Sequence, residues 1–317
     1  MAVQRLESTV RRFSGAHCFR VSDANGGESP EHHHDWPILS LYILGRQTKI
    51  YESGETTING PAAVLHSAGA PHANRAGRLG LEQLDIEFDP AWLTLNDNNL
   101  PPEPIHCWVG GQVGAASRAL ARDWFCMSRS EEELIELTRS FLSQAVRTRS
   151  PKTPRWLPLA THYAEQARGA VTTRELAHQL GLHPAWLTQA YRAAMGEGIQ
   201  ETAQRKRLEL AVTMLRYSSL PFAEVAVATG FCDQSHLIRI CSRLLGRTPV
   251  QIRTAAANLG PQLAPLFGEG PRLNFSYCVS PPQPGGLLTA RSCCLGHKRE
   301  CPLSTPGCVI SHNVRCC

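Results

Sequence analysis

Residues 230–249 read GFCDQSHLIRICSRLLGRTP. Asp233 is a residue type that caps helix N-termini and Gly246 is one that ends helices, which predicts a helix between them. Four apolar side chains at helical spacing would form its buried face: Leu237, Ile240, Cys241 and Leu244. The preceding PFAEVAVATG, at 221–230, predicts a shorter helix that ends in glycine. Two short helices joined by a tight turn form a helix-turn-helix.

An earlier pair of predicted helices repeats this arrangement. Thr172 and Glu175 form a capping box that opens TRELAHQLG, and Gly181 ends that helix. HPAWLTQAYRAAMG follows, with Pro184 in the first helical turn and Gly196 at the end. Between the two motifs, GIQETAQRKRLELAVTMLRYS predicts a helix of about 20 residues, hence roughly 30 Å long. That length suits two helices in successive major grooves, since one turn of B-DNA is about 34 Å.

Length and composition restrict the class of protein. The chain has 317 residues, of which 42% are hydrophobic and 19% charged, so we expect about two domains. Its longest apolar runs are shorter than the about 18 residues of a membrane span, and its N-terminus lacks the apolar region of a secretory signal. We therefore expect a cytoplasmic protein without a membrane partner. Residues 158–257 hold 11 Lys/Arg against 7 Asp/Glu, which mildly favours a polyanionic partner.

Three regions differ in composition, and we place their boundaries at 1–150, 151–257 and 258–317. In the first, ILSLYIL, KIYES, AAVLH and LEQLDIEF lie between turn signals such as GR and AGRLG, which predicts a β-barrel or sandwich. A capping box at Ser130 and Glu133 then opens a helix of a predicted helical hairpin. The third region, rich in Pro, Gly and Cys, is predicted to be a disordered tail. It contains seven of the 12 cysteines.

The C-terminal helical region resembles a known family. Arg207-xxx-Ala211-xx-Met214-Leu215, followed by GFCDQSHLIRICSRLLGRTP, is similar to the signature of the AraC/XylS transcriptional regulators. The resemblance covers about residues 157–257. This sequence departs from the family pattern in having Leu237 where Phe is usual, and Cys241 and Ser242 where an aromatic and a basic residue are common.

The resemblance implies a homodimeric, non-enzymatic regulator that binds double-stranded DNA and responds to a small effector. Activation through contact with RNA polymerase is the commoner behaviour in the family, so we expect an activator. By position, seven side chains of the two recognition helices should face the bases: Ala185, Thr188, Gln189, Gln234, Ser235, Ile238 and Arg239. Arg can bind guanine and Gln can bind adenine. Four basic side chains are candidates for phosphate contact: Arg192, Arg205, Lys206 and Arg243.

The N-terminal region resembles the cupin-like sensor domain that many AraC-type regulators carry. Gly26-x5-His32-x-His34 fits the first cupin motif, and GPAAVLHSAGAPHAN, with His72, fits the second loosely. The expected fold class is α+β: a cupin-like β-barrel with a helical hairpin, an all-α domain with two helix-turn-helix motifs, and the tail. Trp36, Tyr42 and His72 are the candidate residues of an effector pocket.

His32, His34 and His72 could supply three imidazoles to a metal ion. Metal-binding cupins add a glutamate, and the residues after His34 are Asp35, Trp36, Pro37, Ile38 and Leu39. The missing carboxylate favours a structural or ligand-binding role, and we expect no cofactor.

Two other functional hypotheses remain open. The barrel could be a metal-dependent cupin enzyme to which the helical domain is attached for targeting, although the missing carboxylate argues against it. Alternatively, the chain could be a thiol-responsive or metal-responsive regulator. Cys232 and Cys241 are about two and a half helical turns apart and do not share a face, and the pairs at 293–294 and 316–317 lack the spacing of a zinc site.

Overall fold

Eight strands form one antiparallel sheet in the N-terminal part of the chain. The computed structural model describes residues 5–13, 15–23, 27–89, 105–125, 129–148, 153–166 and 172–257. The strands are β1 (Arg5–Phe13), β2 (Ala16–Asp23), β3 (Glu28–His32), β4 (Ile38–Tyr51), β5 (Gly54–Asn59), β6 (Ala62–His66), β7 (His72–Phe88) and β8 (Ile105–Val109). Their order is β1-β2-β7-β4-β6-β8, while β3 pairs with β7 and β5 with β4.

The two longest strands, β4 with 14 residues and β7 with 17, run through positions where the sequence indicated turns. The prediction of separate strands at ILSLYIL and KIYES is wrong, because both belong to β4. The GR and AGRLG signals instead mark shifts in the β4–β7 register, on either side of Gly45. Gly45 has φ +89, and a Cβ there would lie 2.9 Å from the Cα of Leu81. Glycine therefore allows a bulge where the two backbones approach closely.

A helical hairpin follows the sheet, as predicted. It consists of α1 (Gly111–Phe125) and α2 (Glu131–Arg147). The capping box is confirmed, since Glu133 N donates to Ser130 Oγ over 3.3 Å and Ser130 N donates to Glu133 Oε2 over 2.8 Å. The buried indole of Trp124 joins the two helices by donating to Thr138 Oγ1 over 3.2 Å.

Seven helices form the C-terminal part of the described chain. They are α3 (Leu157–Gln166), α4 (Thr173–Leu180), α5 (Pro184–Met195), α6 (Ile199–Tyr217), α7 (Phe222–Ala228), α8 (Gln234–Leu245) and α9 (Pro249–Ala257). The predicted cap residues are confirmed at both motifs, but of the capping box predicted at α4 only the Thr172 half forms, since Glu175 Oε2 accepts from the Tyr163 hydroxyl. Gly181, Gly196 and Gly246 are left-handed C-caps, and Asp233 Oδ1 accepts the amide hydrogen of His236 over 2.7 Å.

The helical cores follow the predicted apolar faces at most positions. Leu187 and Tyr191 of α5 are fully buried against α3 and α4. In α8 the last buried position is Leu245, whereas the predicted Leu244 is only half-buried. None of the described helices is long and apolar enough to cross a membrane. The described residues all fall in one compact unit, while the predicted tail at 258–317 lies outside them.

Candidate DNA interface and sensor site

The first helix-turn-helix consists of α4 and α5. Thr172 Oγ1 caps α4 by accepting from Glu175 N over 3.4 Å, and α5 starts at Pro184 with its proline ring preset for the first turn. Three predicted base-facing residues of α5 are exposed: Ala185, Thr188 and Gln189. Trp186, which the sequence pattern did not indicate, is 48% exposed between them and lies edge-on to Trp156 with ring centroids 5.7 Å apart.

The second helix-turn-helix consists of α7 and α8. Gln234, Ser235 and Arg239 are exposed on α8, and Ile238 is half-buried beside them. His236 packs edge-on against the ring of Phe231, with centroids 5.3 Å apart, which accounts for its partial burial. Both recognition helices therefore present a polar face, and each is anchored by an apolar face on the opposite side.

The two motifs are joined by α6, which contains 19 residues and is therefore about 28 Å long. The predicted connector is thus confirmed as a continuous helix. At its C-terminal end, Arg216 forms an ion pair with the buried Glu82 of β7, which also accepts from Ser22 Oγ over 2.9 Å. Helix α6 is consequently packed against the sheet as well as between the motifs.

A buried network of charges lies where α6 meets the sheet and α1. Glu197, fully buried, accepts hydrogen bonds from Arg205 Nη2 at 2.9 Å and Arg118 Nη1 at 2.8 Å. Arg205 Nη1 also donates to Glu209 Oε1 over 2.8 Å, and the same oxygen accepts from Gly45 N over 3.1 Å. Because each buried charge has an oppositely charged partner, the network avoids the large cost of an isolated buried ion.

This network corrects the phosphate assignment of Arg205. The side chain is only 3% exposed, and no phosphate could reach it without breaking its two ion pairs. Burial alone would lower the pKa of Arg205, but the adjacent Glu197 and Glu209 carboxylates raise it above its usual value. The prediction that Arg205 binds phosphate is therefore wrong for this structure. The partly buried Lys206 is likewise engaged, donating to Asn59 Oδ1 over 3.1 Å and to Glu209 Oε2 over 2.9 Å.

The other two phosphate candidates are accessible. Arg192 on α5 is 60% exposed and forms a surface ion pair with Glu201 over 3.2 Å. Arg243 on α8 is exposed and donates to Gln204 Oε1 over 2.6 Å. Exposed contacts of this kind cost little to exchange for a phosphate oxygen.

The N-terminal end of α1 touches the end of the first recognition helix at backbone distance. Gly196, which terminates α5, has φ 69, and a Cβ there would lie 2.7 Å from the backbone nitrogen of Ala115. A Cβ at Gly110 would lie 2.5 Å from the carbonyl oxygen of Ala194. Contacts this close require glycine on both sides.

The C-terminal end of α1 touches the end of the second recognition helix. Gly246 terminates α8, and a Cβ there would lie 3.0 Å from the Cβ of Phe125. The buried Arg20 of β2 lies over the Phe125 ring, 4.2 Å from its centroid, and donates to the carbonyl oxygen of Leu245. Helix α1 contains 15 residues and is about 22 Å long, so it spans from one recognition helix to the other.

Within the sheet, four histidines surround a small polar cavity. His32, His34 and His72 each offer a ring nitrogen, and these three atoms lie within 4.8 Å of one another. His66, which the sequence analysis missed, stacks on His72 with ring centroids 4.2 Å apart. Lys49, Asp85, Gln83 and Asn74 are among the remaining polar residues that line the cavity.

Hydrogen bonds leave several imidazole nitrogens available for a ligand. The Nδ1 atoms of His32 and His72 lie 2.8 Å and 3.1 Å from the carbonyl oxygens of Pro30 and Ala70, so Nδ1–H donation leaves Nε2 with a lone pair. His32 Nε2 is buried without a hydrogen-bond partner among the described residues, as are both ring nitrogens of His66.

The electrostatics of the cavity keep its buried histidines neutral. Burial and then the Lys49 ammonium lower the pKa of His72 to about 3, and the same two causes lower the pKa of His66 well below its usual value. Neutral imidazole is the form that binds metals. The three predicted imidazoles are therefore close together, and those of His32 and His72 are oriented by backbone oxygens, even though the residues after His34 lack the glutamate of metal-binding cupins.

The structure does not bring Trp36 and Tyr42 into this cavity with His72. Tyr42 is buried in a separate apolar cluster with Ile58 and Leu81, and its hydroxyl donates to Gln47 Oε1. Trp36 packs against His17, with ring centroids 5.9 Å apart. Only His72 of the three predicted effector residues lines the cavity.

The described cysteines do not form a thiol pair. Cys241 is buried in the α8 core as predicted, and burial raises the pKa of its thiol to about 12. Cys232 is exposed, while Cys18 is buried in the sheet. The predicted 293–294 and 316–317 pairs lie outside the described residues.

Comparison with known proteins assigns the helical region. Residues 176–255 match the family model described as a helix-turn-helix domain. The transcriptional regulator GlxA of Rhizobium meliloti (strain 1021) is 24% identical over 205 residues, which cover 64% of this chain and 60% of that protein. The regulator VirS of Mycobacterium tuberculosis is 35% identical over 85 residues, 27% of this chain and 25% of VirS. An AraC-like transcription regulator of Streptomyces antibioticus is 33% identical over 82 residues, covering 26% and 27% of the two chains. The matches span less than two thirds of each of these relatives.

Solved structures are similar only in outline. ToxT from Vibrio cholerae gives a TM-score of 0.34 at 9% identity, over 76% of this chain and 99% of that one. A cupin superfamily protein from Desulfitobacterium hafniense gives 0.25 at 16% identity, over 27% and 77%. Likenesses this weak carry no argument about a ligand or a partner.

Proposed function

We propose that this chain, which carries the helix-turn-helix domain of AraC-like transcription regulators behind a cupin-like antiparallel sheet, is a sequence-specific DNA-binding regulator under effector control. The observation that carries the proposal is the pair of capped recognition helices with exposed polar faces, joined by α6. The length of α6, about 28 Å, is close to the about 34 Å between successive major grooves on one face of B-DNA.

The base-facing residues divide the recognition between the two motifs. Thr188 and Gln189 on α5, and Gln234 and Arg239 on α8, supply hydrogen-bonding groups that can reach base edges. Ala185, Ser235 and Ile238 supply short polar or apolar contacts, while Arg192 and Arg243 supply phosphate contacts. In this proposal the phosphate contacts add affinity and salt dependence, and the base contacts select the sequence.

Mapping of the DNA bound by the full chain in cells, followed by titration of the purified protein with the enriched sequence, tests this proposal. We expect one enriched motif with two half-sites about 10 base pairs apart, bound at least about 10³-fold more tightly than unrelated DNA. Equal affinity for enriched and shuffled sequences would contradict it. The finer parts of the proposal are a homodimer, contact with RNA polymerase, activation rather than repression, and a cytoplasmic location.

Control by the sheet domain is proposed to pass through α1. This helix contacts the C-terminal ends of both recognition helices, through Gly196 and Gly246, and its Arg118 reaches the buried Glu197. A shift of α1 by a fraction of a helical turn would change the relative position of α5 and α8. Only a ligand with different affinity for the two arrangements can cause such a shift.

A transition metal ion is a second candidate for the effector. The buried imidazole nitrogens without a hydrogen-bond partner among the described residues support this candidate. His32, His34 and His72 would bind the ion, which would link β3 to β7, because imidazole is a common ligand of transition metals. Metal analysis of protein purified without chelator should then give about one ion per chain, lost in the His32→Ala, His72→Ala double variant. A metal-free protein that also fails to bind added Zn²⁺, Ni²⁺ or Co²⁺ would contradict this candidate.

A further inference from the structure

A second cavity, of about 260 Å³, lies where the sheet, α1, α6 and α8 meet. One residue of β4, five of α1, three of α6 and two of α8 line it. It shares no lining residue with the histidine cavity. The cavity is therefore a separate site, in contact both with the bridging helix α1 and with the second recognition helix.

The cavity wall carries an excess of positive charge. Four arginines line it against one carboxylate, that of Glu201. Arg118 and Arg205 both pair with Glu197, and Arg205 also pairs with Glu209. Glu201 pairs with Arg192, which does not line the cavity. The remaining two guanidinium groups, of Arg122 and Arg243, form no ion pair among the described residues.

The rest of the wall is largely apolar. Ile43, Leu244 and three alanines of α1 line it, and the alanines provide space rather than contacts: Ala115, Ala119 and Ala121. The volume is slightly below the about 300 Å³ at which typical ligand pockets begin, so a compact ligand fits better than a long one. A cationic rim beside an apolar wall matches a molecule with one anionic end and a short apolar body.

We propose that this cavity binds a small organic anion, a monocarboxylate with a short apolar body, whose carboxylate is bound by Arg122 and Arg243. Guanidinium and carboxylate form charge-assisted, often bidentate hydrogen bonds, which makes arginine the preferred partner of this group. The anion would link α1 to α8, because Arg122 and Arg243 lie on these two helices.

Anion binding at this site has a defined effect on DNA affinity, which rests on the proposed function. Arg243 cannot bind the carboxylate and a DNA phosphate at the same time. The anion should therefore lower DNA affinity and, since one phosphate contact is lost, reduce the slope of log affinity against log salt by about 1. By linkage, DNA should weaken anion binding by the same factor.

Calorimetric titration of the full chain with hexanoate and benzoate, each compared with its uncharged amide, tests the site without DNA. We expect saturable binding of at least one carboxylate, about tenfold tighter than that of its amide. Arg122→Gln should weaken the carboxylate about five- to tenfold, and Ala119→Leu should weaken it by filling the cavity. Arg147→Gln, an exposed arginine of α2 outside the cavity, is the matched control and should leave binding unchanged.

The proposed site would be contradicted by the absence of saturable binding of either carboxylate up to about 10 mM, which is on the order of the weakest useful affinity. Equal binding of the carboxylate and its amide would also contradict it, as would equal effects of the Arg122 and Arg147 variants. Thermal denaturation of each variant establishes that it is folded. The DNA affinity of the full chain without any anion is measured in a separate experiment. A failure there counts against the proposed function, while the anion titration alone decides the existence of the site.

Discussion

The two helix-turn-helix motifs are similar in sequence pattern but are attached to the rest of the molecule in different ways. The first ends at Gly196 and Glu197, where backbone meets backbone and a fully buried carboxylate binds Arg118 and Arg205. The second ends at Gly246, where a glycine meets the side chain of Phe125, and beside a solvent-accessible cavity. The difference predicts that the first motif is held more firmly to the sheet domain than the second.

The largest expected effect concerns the buried charge of the first motif. Glu197→Gln removes one partner of Arg205 and of Arg118, and should cost about 3–5 kcal/mol because it leaves buried positive charge uncompensated. Glu201→Gln, which makes the same change in an exposed ion pair, should cost less than about 1 kcal/mol. The free energy of unfolding in denaturant measures both. Equal losses would show that the burial of Glu197 has no special role in fixing the motif.

Alanine substitutions at the glycines that end α4, α5 and α8 compare the two attachments by their effect on stability. A Cβ in the left-handed region costs about 1–2 kcal/mol at any of Gly181, Gly196 and Gly246. Gly181 faces open space, so Gly181→Ala should lose only this conformational free energy. Gly196→Ala must also displace the backbone of α1, which should cost about 1–3 kcal/mol more.

Gly246→Ala should fall between these two, because the Phe125 side chain can move aside. Thermal unfolding of the three variants should therefore rank Gly181→Ala as the most stable and Gly196→Ala as the least. A Gly246 variant less stable than the Gly196 variant would contradict this ranking of the two attachments.

The next effect concerns DNA recognition. Arg239→Ala on α8 should cost about 1–3 kcal/mol at the cognate site and relax base preference at one position. Arg192→Ala on α5 should instead weaken all sequences about equally and reduce the salt slope by about 1. Binding titrations on the cognate site and on single-base variants distinguish these outcomes. Unchanged specificity of the Arg239 variant would show that this residue does not contact the bases.

The smallest expected effect is that of truncation after residue 257. The described fold ends at Ala257, and all predicted DNA contacts precede that residue. DNA affinity of the truncated chain should equal that of the full chain within about twofold, a difference of about 0.4 kcal/mol. Loss of operator binding on truncation would mean that residues 258–317 contribute to the interface.

The sequence predicted those parts of the fold that depend on local chemistry. The caps of α4, α5 and α8 follow from Thr172, Gly196 and Asp233, because capping involves residues only a few positions apart. The bulge at Gly45 has the sequence pattern of a turn, and only the approach of β7 distinguishes the two. A glycine beside an arginine is typical of both.

The charge network escaped prediction for the same reason. Arg205 stands next to Lys206 in a basic helix, and this pattern is typical of a DNA-facing surface. Its burial depends on Glu197 and on Arg118, which is 79 residues from Glu197 in the sequence. His66 was missed because it lies within an apolar strand, AAVLH, and its ring reaches the other histidines only after β6 pairs in the sheet.

The bridging of both recognition helices by α1 has a consequence for the exchange of modules between regulators. A chimaera that joined the helices after residue 156 to an unrelated sensor would remove the α1 backbone that covers Gly196, and Arg118 with it. Glu197 would keep Arg205 but lose its second cation, and Gly246 would face solvent instead of Phe125. A productive graft must therefore transplant α1 together with the DNA-binding helices, so the segment to be transferred begins near Gly110 rather than at residue 151.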